Sequence, residues 1–242
     1  MSRINGEDQK QSIYTHLKEL RKVLIISAVA VSVGFIVVFV GFSQQLIWFL
    51  SRPLVELGVD IITIGVAEAF VAQMRVSLVA GIILAAPIIF WRIWSFLRPA
   101  LYPKERGVFL FTFFVVIVLF LSGVLFAYFL VLGLAINFFI VTGEDIATPM
   151  ISIEMYIGML FNFVIPFGLA FEFPVVIYVL HKLGMVTVKG LVKARKYVVF
   201  SMFLLATLIT PPDLLSQILL AVPLCILYEI SIMILKIKER SK

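Results

Sequence analysis

Residues 155–180 read MYIGMLFNFVIPFGLAFEFPVVIYVL, an apolar run of 26 residues with one ionisable side chain, Glu172, inside it. As a helix this run is about 39 Å long, enough to cross a bilayer core of about 30 Å with some tilt. Lys182 marks one end, and Glu172 lies 10 residues before it, about 15 Å deep and close to the midplane. A carboxylate there costs roughly 2.5–3.5 kcal/mol on insertion scales, so keeping it implies a gain elsewhere. Pro166 and Pro174 flank it. Each removes a backbone donor and tends to kink the helix, opening carbonyls to partners. One reading of Glu172 is a polar contact for a helix arriving from outside the chain. The plainer one is a carboxyl bonded to Asn162 or to a freed carbonyl.

The rest of the chain is built in the same way. It is 62% hydrophobic and 14% charged, with a mean hydropathy of +1.14, far outside the soluble globular range. These values predict an all-α integral membrane protein, a single transmembrane domain over residues 1–242. The single Cys225 excludes an internal disulfide and a thiolate metal cluster. His16 and His181 are too few for a His-rich metal site, so no metal and no cofactor is expected.

Six spans are expected, at about 23–42, 67–91, 108–135, 155–180, 197–209 and 214–235. Residues 15–22 read as a short amphipathic helix lying on the membrane surface before the first span. The loop 41–66 reads as a structured cap rather than a flexible link. The second span carries Glu68, Gln73 and Arg75 in its first third. Residues 92–107 and 181–196 read as polar loops. The apolar run of the third span continues to residue 140, longer than a bilayer needs. The fifth is only 13 residues, about 20 Å. Such a short wall implies local mismatch, relieved by membrane thinning or by docking of another helix. No internal repeat is visible.

Lys and Arg fall almost wholly on one side. The N-terminal segment, the second and fourth loops and the C-terminal tail hold 18 of the 20, leaving Arg52 opposite and Arg75 within a span. The positive-inside rule then puts both termini in the cytoplasm. The net charge of +6 is thus a topology signal, and no nucleic-acid partner is expected.

Two acids stand out against this basic face, Glu19 in HLKELR and Glu105 in YPKER. The plain reading is local pairing, Glu19 with Lys18 or Lys22 and Glu105 with Arg106, worth a few tenths of a kcal/mol. The functional reading is a pair of acceptors for guanidinium groups, each able to form a bidentate contact.

HLKELR (16–21), SFLRPALYPKER (95–106), FEFP (171–174) and TPPDLLSQ (210–217), in this order and at these spans, resemble TatC. TatC is the polytopic receptor subunit of the twin-arginine protein translocase. The resemblance covers essentially the whole chain. It implies six helices with the last two short, both termini cytoplasmic, and a plasma-membrane location. It also implies binding of twin-arginine signal peptides on folded cargo, and assembly with single-span TatA-like and TatB-like partners for export driven by the proton-motive force. Self-association in a receptor complex and intimate contact with the bilayer belong to the same expectation. No enzymatic activity is implied, and no Walker A pattern is present.

Carried over by position, Glu19 and Glu105 hold the arginines, and Arg21, Phe96, Leu101, Tyr102 and Arg106 shape that site. Glu172 matches the intramembrane acid. Thr210, Asp213 and Gln217 match the short last hairpin where partners dock, although Asp213 is also a plain N-cap for the sixth helix. Pro53 matches a proline of the extracytoplasmic cap. Lys18 departs from the pattern, placing a competing cation beside Glu19. The competing function is a proton-coupled secondary transporter with Glu172 as relay, favoured by one midplane acid between two prolines. An intramembrane protease is disfavoured: there is no G-x-S-x-G, no HExxH and no second intramembrane Asp.

Overall fold

The structure, a computed structural model, describes residues 6–101, 106–143, 150–209 and 214–240. It is all-α apart from two short strands. Helix α1 (Gly6–Gly41) is one continuous rod of 36 residues, about 54 Å long. The surface helix expected at 15–22 is therefore not a separate element. No Gly or Pro interrupts residues 7–33, so the helix that crosses the membrane simply continues beyond it.

Helix α1 packs antiparallel along α3 (Glu68–Leu101). Gly34 and Gly81 mark the point of closest approach: a methyl added at Gly81 would lie 2.6 Å from the Phe35 amide nitrogen. Small residues let two membrane helices touch backbone to backbone. Helix α3 runs to Leu101, so most of the polar loop expected at 92–107 is helical. Charge marks the membrane edge there, and the helix outlasts it.

The expected cap is present and has regular structure. Helix α2 (Ser43–Glu56) turns across the end of the bundle, burying Ser43, Ser51 and Leu54. Strand β1 (Ile61–Ile62) then pairs in parallel with β2 (Ile151–Ser152), Ile61 opposite Ile151. The three polar residues at the start of α3 serve this region. Glu68 Oε2 accepts from the Ile64 amide (2.9 Å) and from Ser152 Oγ (3.1 Å). Gln73 Nε2 donates to Ser43 Oγ at 2.6 Å. Arg75 pairs with Glu154 at 3.0 Å. The uncharged part of α3 thus shrinks to residues 76–91.

Helix α4 (Arg106–Phe126) passes through a π turn at Ala127–Leu132 into α5 (Gly133–Gly143). This long rod rises beside the cap, where the Tyr128 hydroxyl donates to the Phe49 carbonyl at 3.0 Å. The fourth run is two helices, α6 (Ile153–Ala170) and α7 (Phe173–Lys182), broken at Phe171 and Glu172. Pro174 has no N–H for the Ala170 carbonyl and its ring crowds it, so α6 ends there. Helix α6 is the centre of the core: Ile157, Phe163 and Phe167 are fully enclosed.

The loop expected at 181–196 narrows to 183–187. Gly184, at φ +74°, supplies the left-handed turn, and Thr187 Oγ1 caps the new helix by accepting from the Gly190 amide at 3.1 Å. Helix α8 (Val188–Ile209) and helix α9 (Leu214–Arg240) form the last hairpin. Among the described residues five helical segments are long and apolar enough to cross a membrane. Helix α8 is not one of them, because Lys189, Lys193, Arg195 and Lys196 fill its first half.

Candidate functional site

The antiparallel pairing of α1 and α3 sets the geometry of the uncapped end. Fifteen residues separate Gly34 from Glu19, and fifteen separate Gly81 from Phe96, about 22 Å of helix in each case. Glu19 and Phe96 therefore stand level. Glu19 and Arg21 are exposed, and Phe96 is half-buried. Neither Lys18 nor Lys22 pairs with Glu19, which forms no ion pair among the described residues. Its carboxylate is presented to solvent rather than spent locally. Leu101 ends α3 and Arg106 begins α4, so both expected residues flank the same end of the bundle. Tyr102 and Glu105, like Thr210 and Asp213, lie outside the described residues.

Other expected residues sit apart from this end. Glu172 occupies the break between α6 and α7, 8% exposed, with its carboxyl turned to the Phe120 backbone of α4. Its Oε1 is buried without a hydrogen-bond partner. Asn162 lies on an exposed face of α6, and Arg75 is engaged by Glu154. Just below, Trp94, Val116, Val175 and Val179 form a small apolar cluster between α3, α4 and α7. Gln217 braces the last hairpin from within, its Nε2 donating to the Phe203 carbonyl at 3.2 Å and to Thr207 Oγ1 at 2.5 Å. Pro53 lies inside α2, in the cap.

The residue pattern missed the polar contacts within the last hairpin and between it and α7. Arg195 donates to Glu229 at 2.7 Å, and the Tyr228 hydroxyl donates to the Leu191 carbonyl at 2.8 Å. His181 stands 3.7 Å from Glu239, while Lys238 reaches the Tyr178 hydroxyl. The signal available was opposite charge at equal height on neighbouring helices, as with Arg195 and Glu229.

Together these features define a multi-pass helical membrane protein with a half-buried aromatic level with an exposed acid at one end, a structured cap at the other, and a buried acid in a broken helix between them. The family model described as "Sec-independent protein translocase protein (TatC)" matches residues 15–223, and the chain belongs to that family, one of protein transport rather than catalysis. The chain is 45% identical over 231 residues to a Sec-independent protein translocase protein TatC of Carboxydothermus hydrogenoformans, covering 95% of each chain. It is 40% identical over 231 residues to that of Aquifex aeolicus, covering 94% of this chain and 95% of the relative. A crystal structure titled "Twin Arginine Translocase Receptor- TatC" superposes with a TM-score of 0.84 at 39% identity, over 92% of this chain and 98% of that one. This membership sets aside the reading as a proton-coupled secondary transporter.

Proposed function

We propose that this protein is the receptor of a twin-arginine translocase, binding the arginine pair of a signal peptide through Glu19 and Glu105. The observation that carries this reading is an exposed Glu19 on α1, free of ion pairs among the described residues and level with Phe96. Two adjacent guanidinium groups fit two carboxylates better than two ammonium groups do, because each fork engages both oxygens of its partner. Phe96, Leu101 and Tyr102 offer apolar surface to the segment following the arginines, and Arg21 and Arg106 shape the site beside the two carboxylates.

The same reading puts both termini in the cytoplasm of a cell with a plasma membrane, and counts α8 as a sixth, short span, making residues 1–242 one transmembrane domain. Single-span TatA-like and TatB-like helices would dock along the short hairpin near Thr210, Asp213 and Gln217, and Glu172 would offer a polar contact within the membrane. Pro53 would shape the extracytoplasmic cap. Copies of the receptor would associate, and export would draw on the proton-motive force.

Binding of an Arg-Arg signal peptide and its Lys-Lys twin to the purified protein tests the reading. A preference for Arg-Arg of about tenfold or more, lost in the double variant Glu19→Ala, Glu105→Ala, is expected. Equal binding of both peptides by the wild type would leave only the apolar segment recognised and overturn the proposed site.

A further inference from the structure

Two cavities meet beneath the cap. The larger, about 630 Å³, lies between α1, α2, α3, the α4 rod and α6, with Val38, Ala80, Leu84, Leu125 and Val164 in an almost wholly apolar wall. Its volume falls within the roughly 300–1,000 Å³ usual for ligand pockets. The smaller, about 400 Å³, opens on the cap side and has Arg52, Glu56 and Asn137 in its wall. Phe49, Tyr128 and Phe129 border both. With this shared border the pair forms a chamber of two adjoining compartments, apolar at the membrane end and charged at the rim.

The π turn builds the junction. It turns Tyr128 so that its hydroxyl reaches the Phe49 carbonyl and its ring stacks on Phe49 at 5.5 Å between centroids. Such turns recur where a helix is shaped for binding. At the rim, Arg52 and Glu56 stand one turn apart on α2. Neither forms an ion pair among the described residues, with the other or elsewhere. The Arg52 guanidinium lies 4.5 Å over the ring of Trp48, an aromatic suited to the interface between headgroups and chains. The rim presents a cation and an anion separately.

We propose that the chamber holds one phospholipid of the leaflet beneath the cap, an acyl chain in the larger cavity and a zwitterionic headgroup with a primary ammonium in the smaller. Arg52 takes the phosphate in a bidentate contact, and Glu56 accepts from the ammonium. A phosphatidylethanolamine satisfies both charges. A phosphatidylglycerol would set its phosphate on Arg52 but leave Glu56 opposite hydroxyls. A choline headgroup carries the positive charge but no N–H to donate. The inference stands independently of the function proposed above.

The test uses the full chain in vesicles of mixed phosphatidylethanolamine and phosphatidylglycerol, with a phosphatidylethanolamine bearing a diazirine in its acyl chain as probe. Adducts mapped by mass spectrometry are expected on Val38 and Val164, buried residues of the larger cavity's wall. The same diazirine on phosphatidylglycerol should label these positions about tenfold less, the ratio for one unsatisfied charge contact. Arg52→Gln with Glu56→Gln should abolish the difference. Ala80→Phe, which fills the larger cavity, should remove chamber adducts while leaving those on the outer face at Phe114. Equal labelling by the two lipids, or chamber adducts that persist in Ala80→Phe, would overturn the proposal. Should Ala80→Phe fail to fold, the exposed Arg52 and Glu56 substitutions decide alone.

Discussion

Glu172 sits where a carboxyl is hard to keep. It is buried at a helix break, with Oε1 unpartnered, and an unsatisfied buried polar atom costs about 1–3 kcal/mol. An apolar side chain of similar length would remove that penalty. Glu172→Met is therefore expected to raise the midpoint of thermal unfolding in detergent, by the equivalent of about 1–3 kcal/mol, while export in vesicles falls. A lowered midpoint would mean that the carboxyl has a structural partner and is held for the fold alone. The acid and its flanking prolines were legible in the sequence because a charge inside an apolar run has nowhere to hide. That Oε1 finds no partner was not, because that depends on Phe120, Arg75 and Asn162 falling where they do in three dimensions.

At the scale of elements, the cap hangs on few bonds. Glu68 alone accepts from both Ile64 and Ser152, joining the stretch after β1 to the end of β2. Bonds to a charged acceptor are worth about 1.5–3 kcal/mol. Glu68→Ala should speed hydrogen exchange at Ile62 and Ile64 by about tenfold to a hundredfold, leaving the α6 amides unchanged. Unchanged exchange at Ile64 would mean that strand pairing holds the cap without Glu68. The apolar cores of the five long helices were readable, since runs of apolar residues end at charges. Helix ends were not: α1, α3 and α8 all continue past their first charged residues, because nothing in a Lys or Arg stops a helix. The break at Pro174 was readable from the missing donor. The π turn and α2 were not, since one is fixed by a contact to Phe49 and the other by packing against the ends of distant helices. Glu68, Gln73 and Arg75 looked like polar groups sunk in a span because their partners lie up to 84 residues away.

For the whole molecule, topology is a property that labelling chemistry reads directly. With Cys225 replaced by Ala, a cysteine at Asp60 in the cap should react with an impermeant maleimide added outside intact cells. A cysteine at Met185, in the loop before α8, should react only after permeabilisation. The opposite pattern would invert the orientation and move Glu19 to the wrong side for a cytoplasmic signal peptide. The arrangement of helices also bears on electricity. Because Arg75 is drawn into the cap with Glu154, α3 offers only residues 76–91 as uncharged wall, about 24 Å against the usual 30 Å or so. The transmembrane voltage is the same everywhere, worth about 2.3 kcal/mol per elementary charge per 100 mV. Where the bilayer thins to match this wall, the same drop over a shorter path becomes a steeper field. A charge moving there is pulled about a quarter harder than one crossing undisturbed lipid.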